Sequence, residues 1–318
     1  MPELPDVELY LSALRARIGG HTLEHVRLTT PFLLRSVEPP LDRAEGRNVA
    51  GFRRIGKRIV WKLEGPSTEL GTGPSTPLAA GQLFLVFHLM IAGRFKWRDR
   101  GAPIPRKVGL AAFDFAHGTL LLTEVATQKR ASLHVVQGED ALASFDPGGL
   151  EVMTSDAGAF AAALQKENHT LKRALTDPHL FSGIGNAYSD EILHRARLSP
   201  FKLTRQLTAE DIAALHAATI ATLAEWTIRL QDEAGHAFPE KVTAFHKGMA
   251  VHGRFGEPCP RCATSVQGIV HGEHESNYCP ECQTEGRLLA DRALSKLLKD
   301  DWPKTLDELE RRRREQTG

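Results

Sequence analysis

The chain has 318 residues, enough for two domains of ordinary size with a substantial core. Its 42% hydrophobic and 25% charged residues are typical of a globular protein and exclude disordered, collagen-like and membrane proteins. Lys and Arg total 40 and Asp and Glu total 39, and the resulting net charge of +1 argues against a protein that coats nucleic acid through bulk charge. An acidic beginning and the absence of a long apolar run predict a cytoplasmic protein without a signal peptide or membrane-spanning helix.

The first 138 residues are predicted to form a β-sandwich behind a leading helix. Apolar residues recur at helical spacing from Asp6 to Ile18, and two glycines end the pattern. Seven short apolar or alternating runs follow, bounded by Gly, Pro, Asp and Asn: His25–Leu28, Val49–Arg53, Ile59–Leu63, Leu83–His88, Leu110–Phe115, Thr119–Thr123 and Ser132–Val136. The Gly-, Pro-, Ser- and Thr-rich stretch Gly65–Gly81 is predicted to be a surface loop.

The pattern becomes helical after Asp146-Pro147-Gly148-Gly149, which predicts an α+β multidomain fold with a helical domain over residues 139–250. Helical spacing covers four segments: Ala157–Lys166, Leu171–Leu175, Ala187–Ala196 and Ala209–Leu230. A four-cysteine segment at 251–283 and a charged extension at 284–318 complete the predicted domain order. Helical spacing from Leu288 to Leu298 predicts a helix in that extension.

All four cysteines form two CxxC knuckles, Cys259 with Cys262 and Cys279 with Cys282, separated by 16 residues. This spacing is typical of a zinc ribbon, and four thiolates close a tetrahedral site with no open position for water. We therefore expect one structural Zn²⁺ rather than a catalytic metal. Two disulfides or unrelated buried thiols are the alternative.

Two further features each allow two interpretations. Gly183 and Gly185 precede Asn186 at the start of a predicted helix, so this turn is either a phosphate site, with Lys172 adding a charge, or a packing element. Pro2 becomes a secondary amine once Met1 is removed, with Glu3 beside it. Such an amine can attack an aldehyde-like carbon to give an iminium ion, whereas the alternative is a simple cap for the first helix.

Three separated segments resemble the formamidopyrimidine-DNA glycosylase and endonuclease VIII family in order and spacing. They are PELPDVE (2–8), GIGNAYSDEIL (183–193) and VHGRFGEPCPRC with NYCPEC (251–282). The resemblance covers most of residues 1–283 and implies a β-sandwich, a helix-two-turn-helix domain and a zinc ribbon, with damaged DNA held in the cleft between the two halves. Family members flip the target nucleotide out of the stack.

The resemblance also implies a role for each matching residue. Pro2 is implied to be the Schiff-base nucleophile at the sugar C1′, Glu3 the general acid, and Lys57 a strand lysine that contacts the phosphate beside the lesion and assists elimination. Asn186 and Lys172 match phosphate-binding positions, and Arg254 lies in the third matching segment and is expected to contact DNA.

Two loops depart from the family pattern. The segment His88-Leu89-Met90-Ile91-Ala92-Gly93 resembles a His-Leu-Gly-Met-Ser-Gly loop whose methionine fills the gap left by the flipped base. Either Met90 or Ile91 can be that residue here, and His88 is expected to contact DNA. An Arg-Arg-Phe intercalation loop is replaced by a segment that retains Lys129 and Arg130 but no aromatic residue, which makes the opposite-base preference doubtful.

The C-terminal half departs from the family as well. His274 stands where the zinc hairpin is expected to carry an arginine, between two glutamates, so we expect weak or absent δ-elimination. The stretch Gln231–Lys247 lacks the Gly-Gly-Thr-Thr-like pattern of the loop that covers 8-oxoguanine, so that base is not an assured substrate.

The leading hypothesis is a monomeric base-excision repair enzyme, nucleoid-associated when bound to damaged double-stranded DNA. It would be a bifunctional N-glycosylase and AP lyase that removes oxidised or ring-opened bases through β-elimination. Two alternatives stay open: an AP-site lyase only, for which Pro2, Glu3 and Lys57 suffice, and a damage- or structure-specific DNA-binding protein without base excision.

Overall fold

The computed structural model describes residues 1–65, 82–271, 274–290 and 303–317. The chain forms two compact units, unit 1 with residues Met1–Pro147 and Trp226–Thr243, and unit 2 with residues Gly148–Glu225 and Ala244–Gly318. Residues 66–81 of the predicted surface loop and residues 291–298 of the predicted tail helix lie outside the described residues.

Unit 1 is a sandwich of two antiparallel sheets with a helix, α1 (Leu4–Ile18), ahead of them. The five-stranded sheet has the order β1-β3-β4-β5-β9 and the four-stranded sheet the order β2-β7-β8-β6. The strands are β1 (Thr22–Leu23), β2 (His25–Leu28), β3 (Arg47–Ile55), β4 (Arg58–Glu64), β5 (Leu83–His88), β6 (Gly93–Arg98), β7 (Gly109–Phe115), β8 (Gly118–Glu124) and β9 (Ser132–Gln137). A short helix, α2 (Glu139–Ala143), follows β9.

An aromatic cluster joins the two sheets of unit 1. The Trp61 ring on β4 lies 4.8 Å from Phe87 on β5 and 5.3 Å from Phe113 on β7, measured between ring centroids. Phe87 also contacts Phe95 on β6 edge-on at 5.4 Å. All four side chains are fully buried, and aromatic pairs in such tilted and edge-to-face geometries stabilise a core beyond the effect of area alone.

Unit 2 is helical and ends in a hairpin. Its helices are α3 (Ala157–Gln165), α4 (Leu171–Thr176), α5 (Asn186–Ala196) and the part of α6 (Ala209–Ala234) that precedes Trp226. Strands β10 (Gln267–His271) and β11 (His274–Tyr278) pair as an antiparallel hairpin, and the short helix α7 (Pro280–Thr284) follows. The predicted α+β architecture is confirmed, with β-sandwich, helices and four-cysteine hairpin in the predicted order.

The described part of the C-terminal extension contains a helix outside the predicted range Leu288–Leu298. Residues 288–290 are not helical, and the helix of the described tail is α8 (Leu306–Thr317). The chain before α8 returns to the end of the cysteine segment, since Leu288 N donates to the Lys304 carbonyl at 2.8 Å. Among the described residues, no helix is both long enough and apolar enough to cross a bilayer.

Candidate functional site

Glu3 is held rigidly at the start of α1. The Glu3 N–H donates to Asp6 Oδ2 at 2.9 Å, and the Glu3 side chain accepts the Asp6 N–H in return, which forms a capping box. Pro5 occupies the first turn of the helix, where its missing N–H costs no hydrogen bond. Pro2, Glu3 and Asp6 are all buried, so the first six residues form an ordered element rather than a frayed terminus.

Lys57 lies at the tip of the β3–β4 hairpin rather than inside a strand. Ile55 pairs with Arg58, which leaves Gly56 and Lys57 as a two-residue turn. Gly56 has φ 58°, the left-handed value that such tight turns need and that glycine adopts without strain. The turn therefore presents the Lys57 ammonium at the end of the sheet.

The N-terminal amine, Glu3, Asp6, Lys57 and Arg94 are close enough to interact electrostatically. Burial lowers the pKa of the Met1 amine, which stands one residue ahead of the Pro2 nitrogen; Glu3 raises that pKa, Arg94 lowers it, and weaker effects come from Asp6 and Lys57. The structure thus brings together the three residues that the sequence predicts to be catalytic. Arg94 is a fourth charged residue of this group that the sequence analysis did not identify.

The loop after β5 is tightly constrained. Gly93 N donates to the Leu89 carbonyl at 2.8 Å, and a Cβ at Gly93 would meet that same oxygen at 2.3 Å, so only glycine fits. The Arg94 guanidinium donates to the carbonyls of Ile91 at 3.0 Å and of Gly93 at 2.6 Å. Ile91 is 62% exposed at the tip of this braced loop, whereas Met90 is half-buried.

Met90 has a backbone conformation that favours glycine. Its φ is 52°, in the left-handed region, where a side chain costs about 1 kcal/mol. We expect the free energy of unfolding of Met90→Gly to be about 1 kcal/mol higher than that of Met90→Ala. Both variants remove the methionine side chain, but only alanine keeps the backbone strain. Urea denaturation of the two variants measures this difference, and a less stable glycine variant would show that the loop is not held in this conformation.

His88, the last residue of β5, is neutral at physiological pH. Burial lowers the pKa of His88 to about 4, and the nearby charges of Arg58 and Lys57 act in the same direction. Its Nδ1 accepts the Met90 N–H at 3.3 Å, which leaves Nε2 as the protonated nitrogen of the neutral ring. His88 therefore offers a neutral N–H donor beside two cations.

This pKa predicts a pH dependence of stability. The unfolded chain binds a proton at His88 near pH 6.5, whereas the folded protein does so only near pH 4, so the free energy of unfolding falls as the pH drops through this window. Between pH 7 and pH 4.5, we expect the free energy of unfolding to fall by about 2 kcal/mol less in His88→Asn than in wild type. Urea unfolding at the two pH values tests this; equal losses would show that His88 is freely solvated.

The carboxylate of Glu124 organises the loop that contains Lys129 and Arg130. Glu124 is 1% exposed and accepts the N–H groups of Arg130 at 3.0 Å and of Ala131 at 3.1 Å. The Lys129 ammonium donates to the Glu124 carbonyl, while the exposed Arg130 guanidinium donates to Gln128 at 3.0 Å. The buried Glu124 carboxylate thus holds the backbone of this loop, and Arg130 is its exposed cation.

The Gly183–Asn186 turn leads into α5 as predicted. Gly183 has φ 80°, and Asn186 is a half-exposed residue in an otherwise buried segment. The Lys172 ammonium donates to the Asn186 carbonyl at 2.6 Å and to Asp190 Oδ1 at 2.5 Å, and Lys172 is only 8% exposed. The structure therefore places Lys172 beside Asn186 but in a buried ion pair, where it holds the start of α5.

Helix α5 also fixes the chain that enters the cysteine segment. The Glu191 carboxylate accepts the N–H groups of Ala250, Val251 and His252 at 2.7 to 3.0 Å. Arg254, predicted to contact DNA, donates to the Glu257 carboxylate and to the carbonyls of Met249 and Pro258. In this structure its guanidinium braces the turn before Cys259.

The four cysteine sulfurs form a cluster that fits one zinc ion. All lie within 4.8 Å of one another, with Sγ–Sγ distances of 3.4 Å for Cys262–Cys279, 3.5 Å for Cys262–Cys282 and 3.9 Å for Cys259–Cys282. A tetrahedron with Zn–S bonds of about 2.3 Å requires separations of about 3.8 Å. Backbone N–H groups of Arg261 and Cys282 point at Cys259 and Cys279, as in zinc knuckles.

His274 begins β11 opposite His271, and its side chain lies outside the described part of the molecule.

Two important residues escaped the sequence analysis. Arg94 directly follows the loop His88–Gly93, which the sequence analysis had identified. A positive charge beside that loop was the signal that could have identified Arg94. Glu124 was visible only as an acidic residue at the end of a strand, and no sequence pattern indicated that its carboxylate holds the next turn.

Three family models match consecutive parts of the chain. Residues 1–132 match the formamidopyrimidine-DNA glycosylase N-terminal domain, residues 149–235 its H2TH domain, and residues 256–284 a zinc finger found in FPG and IleRS. The formamidopyrimidine-DNA glycosylase of Geobacillus kaustophilus is 30% identical over 89% of this chain and all of its own length. An uncharacterised formamidopyrimidine-DNA glycosylase-like protein of Mycobacterium tuberculosis is 39% identical over 48% of this chain and 93% of its own.

Solved structures agree with these sequence matches. Lactococcus lactis Fpg in complex with DNA containing an oxidised pyrimidine has a TM-score of 0.74 and 26% identity, over 89% of this chain and all of its own. A complex of the same enzyme with abasic-site DNA has a TM-score of 0.74 and 25% identity, over 89% of this chain and 99% of its own.

The sandwich, the helical domain and the four-cysteine finger define a DNA glycosylase of the helix-two-turn-helix class with one structural zinc ion. The chain belongs to the formamidopyrimidine-DNA glycosylase family, and it is a DNA glycosylase/AP lyase of base-excision repair.

Proposed function

We propose that this enzyme removes oxidised or ring-opened bases from duplex DNA and cleaves the resulting abasic site through a Schiff base on Pro2. The observation that carries the proposal is the convergence of Glu3 and Lys57 on the N-terminal amine. Burial lowers the pKa of the Met1 amine, and the Pro2 nitrogen that replaces it as the amino terminus is one residue away on a buried residue; only a neutral amine is nucleophilic.

The proposed chemistry uses the Pro2 nitrogen after removal of Met1. The nitrogen attacks C1′, the N–C1′ bond forms as the glycosidic bond breaks, and the base leaves with its bonding electron pair and takes up the proton that the Pro2 nitrogen gives up. Glu3 supplies the proton that opens the sugar ring, and an iminium ion results. Loss of a C2′ proton then expels the 3′ phosphate, a β-elimination in which Lys57 stabilises the departing negative charge.

DNA recognition is proposed to use the remaining predicted residues. His88 offers a neutral Nε2–H to a phosphate, while Asn186 presents its amide at the amino end of α5, where helix geometry favours anions. The exposed Ile91, rather than Met90, is proposed to fill the gap left by a flipped nucleotide. We propose that Lys129, Arg130, Arg254 and His274 contribute further contacts, and that δ-elimination is weak because a histidine replaces an arginine.

Solved complexes of a relative support a proposal for the substrate class. The Lactococcus lactis enzyme was solved with an oxidised pyrimidine, with an abasic site and with N7-benzyl-Fapy-dG in DNA. We propose oxidised pyrimidines and ring-opened purines as the substrates here.

Borohydride trapping on four duplexes tests the proposal. The duplexes carry an abasic site, 8-oxoguanine, a formamidopyrimidine or thymine glycol, and the reductant converts any iminium ion to a stable protein–DNA adduct. We expect adducts with the abasic site and with the formamidopyrimidine or thymine glycol. Adducts with the abasic site alone would leave an AP lyase without base excision, and no adduct on any duplex would leave a DNA-binding protein.

A further inference from the structure

Phe32 is an aromatic residue that faces solvent. Its ring is 75% exposed, although it lies in a short 3-10 turn (Pro31–Leu33) whose other apolar residue, Leu33, is buried. The Phe32 N–H donates to Thr30 Oγ1 at 3.4 Å and the Leu34 N–H to the Pro31 carbonyl at 3.2 Å. These two hydrogen bonds hold the backbone of the turn that carries the ring.

The ring lies beside the basic loop after β8. Phe32 and Lys129 line the same cavity of about 260 Å³, whose other walls are Thr30, Leu33, Leu110 and Ala131. The exposed Arg130 guanidinium follows directly in the chain. An exposed aromatic ring beside a cation is a combination that binds unstacked nucleotides, because the ring stacks on a base while cations neutralise the phosphates.

We infer that Phe32 and the cavity beside Lys129 form a binding site for an unpaired nucleobase of the bound duplex. This inference rests on the proposed function, since extrusion of the target nucleotide leaves its former partner base without a mate. The loop that carries Lys129 and Arg130 has no aromatic residue of its own. In this inference the stacking ring comes instead from the Pro31–Leu33 turn. Phe32 would thereby influence which opposite base is tolerated.

Fluorescence of 2-aminopurine placed opposite a stable abasic analogue tests the site. Stacking quenches this base, so we expect quenching with wild type and Phe32→Trp, and bright fluorescence with Phe32→Ala and Phe32→Leu. Affinity for the same duplex should fall about tenfold in Phe32→Ala. The matched control is Val37→Ala, which removes a side chain that is 86% exposed five residues further on.

The outcomes separate this inference from the proposed function. Equal quenching by wild type and Phe32→Ala, with wild type still trapped on abasic DNA, would overturn the base site alone. Failure of wild type to form any adduct would overturn the proposed function instead. Equal losses in Phe32→Ala and Val37→Ala would also contradict the site, because they would show a nonspecific effect of exposed apolar residues.

A second, independent observation concerns the zinc cluster. His194, in the last turn of α5, places Nε2 3.2 Å from Cys259 Sγ, and the side chain is 4% exposed. The His194 carbonyl accepts from the Arg261 guanidinium at 3.3 Å, so the helix end is anchored to the same knuckle twice. Four thiolates around Zn²⁺ carry a net charge of −2, which N–H donors stabilise in a buried site.

We propose that His194 donates a hydrogen bond from Nε2 to the zinc-bound Cys259 thiolate and so slows loss of the metal. It is a positioning residue rather than a ligand, because the four cysteines already complete the tetrahedron. Outer partners of this kind commonly change metal affinity by about 10- to 100-fold.

Zinc release to a chromophoric chelator measures this role without DNA. We expect His194→Phe to release zinc about tenfold faster than wild type and His194→Gln, which keeps an N–H donor, to recover much of the difference. His216→Phe is the matched control, since His216 is a half-buried histidine of unit 2 that packs on Phe160 and whose buried Nε2 has no hydrogen-bond partner among the described residues. Equal release rates for the two phenylalanine variants would overturn the proposal.

Discussion

A protein that keeps an uncleaved N-terminal tag is expected to lose covalent capture of abasic-site DNA by more than about 1,000-fold. The tag leaves the Pro2 nitrogen as an amide, whose lone pair is delocalised into the carbonyl and cannot attack C1′. Borohydride trapping of the tagged protein and of the same protein after tag removal measures the effect, with mass spectrometry of each amino terminus. Affinity for the abasic duplex should change far less than the yield of adduct.

Glu3→Gln provides the companion variant. Glutamine keeps a side-chain oxygen that can accept the Asp6 N–H in the capping box, so α1 should retain its start. It cannot supply a proton, and the rate of base excision should fall about 100-fold or more. A tagged protein that still forms adducts would mean that another amine is the nucleophile, and Lys57→Met would then be the variant that abolishes trapping.

Local chemistry explains why most strands and helices could be predicted. The predicted strands His25–Leu28 and Leu83–His88 and the start of helix α3 at Ala157 agree with the structure, because apolar periodicity and Gly, Pro or Asp punctuation coincide there. Strand β6 was not predicted, although Arg94, Lys96 and Arg98 alternate with Phe95 and Trp97 and Phe95 is fully buried. β1 and α2 are too short to show a period.

The site was predictable where a motif carries its own chemistry, and elsewhere it was not. The two CxxC knuckles identify a zinc site because ligand type and spacing determine it. In contrast, the ion pair of Lys172 with Asp190 joins residues 18 positions apart, and the φ of Met90 depends on how Gly93 and Arg94 close the loop. Such contacts depend on tertiary packing, which one sequence does not encode locally.

The opposing effects of nearby charges on the N-terminal amine also could not be predicted from the sequence. Net charge of +1 indicates nothing about a local field, yet Arg94 and Lys57 both lower the pKa of the N-terminal amine while Glu3 and Asp6 raise it. A cation that favours the neutral amine also opposes the positive iminium ion of the proposed mechanism. The acidic pair therefore has a second consequence beyond helix capping, since it lowers the cost of that charge.

Removal of zinc is expected to unfold the finger and to lower the free energy of unfolding by at least about 3 kcal/mol. The core of this segment is small, consisting of Val251, Val266 and the cysteines themselves, and a segment of this size seldom folds without metal. Hydrogen exchange after treatment with a chelator should show loss of protection at Ala250 and Val251, whose N–H groups Glu191 holds, because the chain that they begin would no longer be anchored.

Cys279→Ser should reproduce the effect of the chelator, since a serine hydroxyl is a poor zinc ligand and Cys279 is fully buried. Amides of the β3–β4 hairpin in unit 1 serve as the internal control, because their protection comes from strand pairing that involves no cysteine. Added zinc should restore protection in the chelated wild type but not in Cys279→Ser. Protection at Ala250 that survives chelation would show that the Glu191 contacts suffice to fold this segment and that zinc has no structural role there.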